Sequence, residues 1–307
     1  MHPAFSILNL KHRMSDISAS LIAGMLRGYS IEINPGQPKV VDAALDRLEP
    51  GTQVFLAWIP GSNPFDCVVP AARLRRAGLV PVPHIGARHL ESAKQLEELA
   101  ARLVGEAGID RVLFIGGDRD TPAGPFESSL EVMQTGVFQK AGILHLAIGG
   151  FPEGNPHMSD AVLNESLSAK VDFARRAGLK LSIVTQFCFE AKPIVSWLRA
   201  IRRNGIDVPV RVGLAGPAGV VTLARYAVRC GVGNSLHVLT ENPSFAKLIT
   251  EKGPEPIIRD LQASAGMVDG TSTLGITGLH FYVFGGFNRT LDWIDAKSAL
   301  RSSTAHT

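Results

Sequence analysis

Tyr29-Ser30-Ile31-Glu32-Ile33-Asn34-Pro35 is a β-branched run of strand length that ends at a proline, with a carboxylate near its end. Such a segment reads as a strand, and burying its carboxylate at the strand mouth is costly unless something pairs or uses it. Working outward from it, further apolar runs of strand length recur at 53–59, 80–85, 111–117, 143–149, 180–187, 208–214 and 279–284. Helix-period segments fill the intervals, among them Val40–Leu48, Glu91–Glu106, Asn164–Ala177, Lys192–Arg203 and Val220–Cys230. Eight strand-then-helix units predict an α/β protein of the closed (β/α)8, or TIM-barrel, class, with an open doubly wound sheet as the alternative.

A single barrel accounts for residues 1–307, with 1–27 as an N-terminal helical extension and 301–307 as a frayed polar tail. Within the extension, residues 14–27 predict an extra helix, Ser15 or Asp16 its N-cap and Leu21, Ile22, Met25 and Leu26 its apolar stripe, placed to plug the barrel bottom. The stretch 234–278 exceeds one helix and carries Asn242-Pro243, Gly253-Pro254 and Gly270, which break it into two or three.

Composition excludes several classes. A formal charge of +3, from 31 basic and 28 acidic residues, is too small and too scattered for a nucleic-acid binder. The clusters Arg73-Leu74-Arg75-Arg76, Arg175-Arg176 and Arg202-Arg203 each close a helical pattern, where cations complement the helix dipole, and read as solvated helix ends. Cys67, Cys188 and Cys230 form neither a CxxC pair nor a metal spacing, so no metal site and no disulfide framework is expected, and a reducing cytoplasm fits best. The start, Met1-His2-Pro3, lacks the pattern of a secretory signal, and the longest apolar runs are of strand length, so no membrane partner is expected.

In a barrel, the polar residues at the C-terminal ends of strands are the ones placed for chemistry. Five qualify: Glu32, His84 in Val80-Pro-Val-Pro-His84, Asp118 after Gly116-Gly117, Glu153 in Gly149-Gly-Phe-Pro-Glu153, and Gln186 closing Ile183-Val-Thr-Gln186. They read as one site. Gly116-Gly117 and Gly149-Gly150 would let a flat ligand approach the backbone closely. Signatures of P-loop, HExxH and GxSxG chemistry are absent from the sequence. Plainer roles stand beside these. Glu32 could pair with a base inside the mouth, Asp118 could cap a helix, Gln186 and His84 could be satisfied core polar groups, and Lys170 could be a solvated helix residue.

Taken in order, Ser30-Ile-Glu32-Ile-Asn-Pro35, Gly116-Gly-Asp118, Phe151-Pro-Glu153-Gly-Asn-Pro156, Lys170-Val-Asp172, Thr185-Gln186-Phe187-Cys-Phe189 and Gly278-Leu-His-Phe-Tyr282 with Asn288-Arg289 resemble the methylenetetrahydrofolate reductase family over about residues 28 to 290. The resemblance implies a cytoplasmic oxidoreductase of one-carbon metabolism, including methionine biosynthesis, that interconverts 5,10-methylenetetrahydrofolate and 5-methyltetrahydrofolate. FAD would be held at the strand ends, with NAD(P)H as co-substrate, and a homo-oligomer is common in the family. Carried over by motif, Glu32 would be the general acid that opens the folate ring, Asp118 would tune the flavin and hold the pterin, and Gln186 and Arg289 would contact folate. His84, Gly116, Gly117, Asp118 and Lys170 would contact FAD.

The chain departs from the family at several cofactor positions. Gly116 stands where arginine is usual, Phe126 and Phe151 where tyrosine is, Asn155 where histidine is, and Asn164 where aspartate is. A threonine at the end of the second strand is replaced in Ala57-Trp58-Ile59-Pro60, where Trp58 could stack on a ring instead. Each change removes a hydrogen bond to the cofactor, worth about 0.5–3 kcal/mol. These departures suggest a specialised paralogue, one that runs from methyltetrahydrofolate back to methylenetetrahydrofolate in a demethylation pathway. The alternatives are a flavin-independent reductase, a non-catalytic folate binder, and an unrelated barrel lyase using Lys170 as a Schiff base.

Overall fold

The computed structural model describes residues 22–230, 232, 252–266 and 272–299. Eight parallel strands close a barrel in chain order: β1 (Ser30–Ile33), β2 (Gln53–Leu56), β3 (Val80–Gly86), β4 (Arg111–Ile115), β5 (His145–Gly150), β6 (Lys180–Thr185), β7 (Val210–Ala215) and β8 (Ile276–Tyr282). β8 returns to β1 in the register Ser30↔His280 and Glu32↔Tyr282. Each strand falls within or beside a run expected from the sequence, and the open-sheet alternative is set aside by this closure. The second run is shorter than expected: the sheet lets go at Leu56, and only the Ala57 amide still reaches back, to the Ile33 carbonyl at 2.9 Å.

Ten α-helices are described: α1 (Pro38–Arg47), α2 (Val68–Arg76), α3 (Ala93–Gly105), α4 (Ser129–Gln134), α5 (Val137–Lys140), α6 (Asp160–Arg176), α7 (Ala191–Arg203), α8 (Val220–Arg229), α9 (Glu255–Ala265) and α10 (Phe287–Ala299). Local chemistry sets their ends. Ser92 and Ser159 accept from the third amide beyond them, and Ser128 with Glu131 forms a reciprocal capping box. α2 and α6 both stop at a glycine in the left-handed region, Gly78 (φ 82°) and Gly178 (φ 66°). In each, the following leucine amide reaches back five residues, Leu79 to the Leu74 carbonyl and Leu179 to that of Ala174, and the chain turns directly into β3 or β6.

Of the N-terminal helix expected over 14–27, residues 22–25 are helical, and Ile22, Met25 and Leu26 are buried; its first part, with Ser15, Asp16 and Leu21, lies outside the described residues. The Arg211 guanidinium on β7 donates to the Gly28 carbonyl at 2.8 Å, fixing this segment's exit into β1. Of the stretch 234–278, α9 is one of the expected helices, while 234–251 and 267–271 lie outside the described residues. The basic clusters do close α2, α6 and α7. Arg202, however, is no solvated end: it donates to the carbonyls of Leu274, Val208 and Ile206, tying the approach to β7 to that of β8.

The main core lies between strands and helices. A second, smaller cluster of Phe55, Val82, Leu113, Ala147 and Val184 takes one residue from each of β2 to β6 and fills the lumen. Pairing of Phe55 with Glu32 and of Glu32 with Tyr282 puts all three on the lumen face. Two residues along β3 from Val82, His84 shares that face, and so does His280 two before Tyr282. Among the described residues no helix is long and apolar enough to cross a membrane.

Candidate functional site

At the upper end of the lumen, the Glu32 carboxyl sits between two imidazoles. His84 Nε2 is 3.4 Å from Glu32 Oε2, and His280 Nε2 is 3.8 Å from the same oxygen. Phe55 sets its ring edgewise to both, with centroids 6.1 Å from His84 and 4.7 Å from His280. The nest is largely shielded: His280 is fully buried, His84 is 7% exposed and the Glu32 side chain 20%. Burial raises the Glu32 pKa above the usual carboxylate value, opposed in part by His84. Burial also lowers the His84 pKa, and it brings His280 down to about 3, helped by the Arg211 charge. All three groups are thus held toward their neutral forms.

Ser30 decides how the proton is arranged. Its hydroxyl lies 2.9 Å from His280 Nδ1 and donates to the Leu279 carbonyl at 3.4 Å. One arrangement satisfies both contacts: the hydroxyl hydrogen goes to the carbonyl, His280 Nδ1–H donates to Ser30 Oγ, and Nε2 then faces the carboxyl without a hydrogen. Nε2 of both His84 and His280 is buried with no hydrogen-bond partner of good geometry. A Glu32 carboxyl held toward its protonated form between these two nitrogens is placed, by the register of β1 against β8, to act as a proton source. The Tyr282 hydroxyl is already spent: it donates to the Thr185 carbonyl at 3.0 Å, with the ring laid over Gly213.

The five strand-end groups expected to form one site fall into separate contacts. Glu32 and His84 meet. Asp118 stands on the exposed rim beyond β4, where Oδ1 is 2.8 Å from His89 Nε2. Glu153 lies beside the buried Cys188 thiol, which burial and that carboxylate together push well above the ordinary thiol range. Gln186 is half-buried, and its backbone N–H donates to the Gly150 carbonyl at 2.8 Å. Arg289 is exposed on the first turn of α10, while its neighbour Asn288 accepts from Arg47 of α1.

His89 also stacks on Trp58, with centroids 5.3 Å apart and planes 30° apart. Beneath this rim runs a strap. The Arg88 guanidinium donates to the carbonyls of Arg119 (2.7 Å), Asp120 (2.6 Å) and Glu127 (3.0 Å), while its amide donates to Gly116. The loop carrying Asp118 is therefore bolted to the end of β3. On the opposite side of the mouth, Phe284 stands at φ 45°, a left-handed conformation rare for a bulky residue. With Gly285 at φ 80° and the Gly286 amide on the Val283 carbonyl, it forms a turn of type I′ pattern. Its ring stacks on Tyr226 (4.3 Å, 25°), lies nearly parallel to Tyr282 (6.0 Å, 12°) and meets Phe187 edgewise (4.9 Å).

The positions named for FAD stand in varied surroundings. Phe126 is core, at 7% exposure, and Asn164 faces outward from α6. Asn155 caps the His157 amide of its own loop at 2.9 Å, and His84 is committed to Glu32. Of the four glycines expected to open the backbone to a flat ring, only Gly116 has free space. A Cβ on Gly117 would lie 2.8 Å from the His89 ring, one on Gly149 3.6 Å from Phe151, and one on Gly150 2.7 Å from Ile183 and 2.8 Å from Trp197. Lys170 is half-buried on α6 with its pKa lowered to about 8 by burial. Its helical position, away from a strand end, also removes the basis for a Schiff-base role. Among the described residues no cluster of three His, Cys, Asp or Glu side chains could hold a metal ion.

His280, Ser30, His89 and Arg88 were not singled out from the sequence. The first two could have been found from strand phase, since Gly278-Leu-His280-Phe-Tyr282 puts His280 on the same face as Tyr282.

Fold and site together define a (β/α)8 barrel whose C-terminal mouth holds a half-buried carboxyl shifted toward its protonated form. No protein-family model matches the chain. Among solved structures it is similar to an uncharacterized protein from Clostridium thermocellum described as binding two copies of 5-methyl-5,6,7,8-tetrahydrofolic acid. The identity is 12%, the TM-score 0.56, and the match covers 90% of this chain and 96% of the other. At that identity the likeness is one of fold.

Proposed function

We propose that this protein binds reduced folate at the barrel mouth and interconverts 5,10-methylenetetrahydrofolate and 5-methyltetrahydrofolate, with Glu32 as the general acid and base. The observation that carries this reading is the Glu32 carboxyl, held toward its protonated form between Nε2 of His84 and Nε2 of His280. Opening the five-membered ring of methylenetetrahydrofolate requires a proton on N10, and a carboxylic acid retained near neutral pH supplies it. The bond from N10 to the methylene carbon then breaks, leaving an iminium ion that accepts hydride. In the reverse direction the Glu32 carboxylate takes the proton back. The folate ligand of the structurally similar clostridial protein supports the substrate class.

The test pairs binding with turnover. Calorimetric titration with 5-methyltetrahydrofolate is expected to show one or more sites, and Glu32→Gln is expected to keep that binding while losing interconversion. A wild-type protein that binds no reduced folate would remove the reading. Binding without any turnover would leave the non-catalytic folate binder in its place.

A further inference from the structure

His280 spans two side chains of one strand. Ser30 and Glu32, two residues apart on β1, share a face, and the imidazole paired against them from β8 lies with Nδ1 2.9 Å from Ser30 Oγ and Nε2 3.8 Å from Glu32 Oε2. Ser30 and His280 are both fully buried. The ring is also clamped edgewise, by Phe55 of β2 at 4.7 Å and by Tyr282 at 4.8 Å and 83°. These walls hold the two nitrogens in place, and what stays free is which of them carries the hydrogen. The charged and titratable groups facing the pair are His84 of β3 toward Glu32, Arg211 of β7 toward His280, and Tyr282, whose hydroxyl is spent on the Thr185 carbonyl. Burial and the Arg211 charge keep the His280 ring neutral, so two tautomers compete. They act on Glu32 with opposite sign. At 3.8 Å the nitrogen works through the partial charge it presents: a bare Nε2 disfavours the carboxylate, whereas an Nε2–H favours it.

We propose that Ser30 and His280 are positioning residues that keep Glu32 an acid: Ser30 accepts from His280 Nδ1–H while giving its own hydrogen to the Leu279 carbonyl, and so fixes the tautomer that turns a bare Nε2 toward the carboxyl. This rests on the reading of Glu32 as the general acid and names what sustains it. Ser30→Ala removes the acceptor from Nδ1. The buried ring then gains by moving its hydrogen to Nε2, where the carboxylate receives it, and Glu32 gives up its proton at a lower pH. That direction separates the proposal from a merely structural role. Exchanging a buried hydroxyl for a methyl group makes the surroundings more apolar, which by itself leaves the carboxyl where it is or shifts it further toward its protonated form.

Two measurements on the full chain, both made without folate, test it. Nitrogen-15 NMR of the histidine-labelled wild-type protein, with the His280 signals identified by their loss in His280→Asn, is expected to show the hydrogen on Nδ1 at neutral pH. In an infrared pH titration, the band of the protonated Glu32 carboxyl, identified by its loss in Glu32→Gln, is expected to disappear about one pH unit lower in Ser30→Ala than in the wild type. Ser30→Thr, which keeps the hydroxyl, is expected to titrate close to the wild type. Should Ser30→Ala fail to fold, the wild-type tautomer decides alone. A hydrogen on Nε2 of wild-type His280, or a folded Ser30→Ala whose carboxyl titrates at or above the wild-type pH, would overturn the proposal. Neither readout depends on a ligand, so a failure to bind reduced folate would remove the folate reading while these two results still stand or fall by themselves.

Discussion

The carboxyl nest inside the barrel and the aromatic plate on its rim each pair a carboxyl with a histidine, yet the two pairs differ in physical kind. In the nest, Glu32 and its histidines are buried, pushed toward neutrality, and placed by strand register. On the rim, the Asp118 side chain is 56% exposed, and the pair is placed by a loop strapped down through Arg88. Burial makes the first pair a store for a proton. The exposed carboxyl of the second makes a hydrogen bond whose use is to hold a ring in position.

The comparison fails most visibly if Glu32→Gln leaves turnover intact. Loss of the general acid is expected to lower the interconversion rate by about 10²–10⁴-fold, with 5-methyltetrahydrofolate affinity changed by less than about tenfold, as read from steady-state kinetics beside calorimetry.

Next in size is the acid sensitivity of the nest. His280 has its pKa depressed from 6.5 to about 3, so the folded state resists protonation that the unfolded chain accepts. Its contribution to stability is full above 6.5 and is lost as pH falls toward 3, at about 1.4 kcal/mol per pH unit for the one proton. Glu32 has the opposite sign. With its folded pKa raised above 4.5, it favours the folded state below 4.5 and loses that contribution as pH rises. Urea unfolding across this range should show a flatter acid limb in His280→Asn; an unchanged limb would mean that the nest is not shielded.

On the rim, Arg88→Ala removes three bonds to carbonyls, and a loss of about 1–3 kcal/mol is expected, seen as a lower melting temperature. Lys at this position cannot reach three carbonyls in a planar fork and should restore less than half of the loss. The smallest effect belongs to Asp118→Asn, whose exposed pair is worth about 0.2–1 kcal/mol. A stability loss comparable to that of Arg88→Ala would show that the rim is energetically part of the interior after all.

The same contrast explains what could be read from sequence. Strand runs and their polar ends were legible because the period of two and the proline and glycine stops are local properties, and Glu32 with His84 emerged from them. His280 was overlooked because its partner Ser30 lies some 250 residues away in the chain and becomes a neighbour only when β8 closes on β1. The five polar ends make separate local contacts because position along a strand fixes height in the barrel but not direction. Asp118 and Glu153 lie past their strands, where loop contacts with His89 and Cys188 decide their aim. Phe126, nominated for the cofactor by motif, is core because the loop bearing it is tied to Arg88 just beyond β3.

Phe284 carries a consequence for how this sequence can drift. Its left-handed backbone costs about 1–3 kcal/mol, while its ring contacts with Tyr226, Phe187 and Tyr282 return about 0.5–1.5 kcal/mol each beyond area burial. Glycine or asparagine would relax the backbone and empty the stack; leucine or valine would keep the strain and lose the stacking. No single replacement improves both, so this position is a local optimum that one-step mutation leaves only downhill, and it can change only in concert with Tyr226 or the Gly285-Gly286 pair that follows.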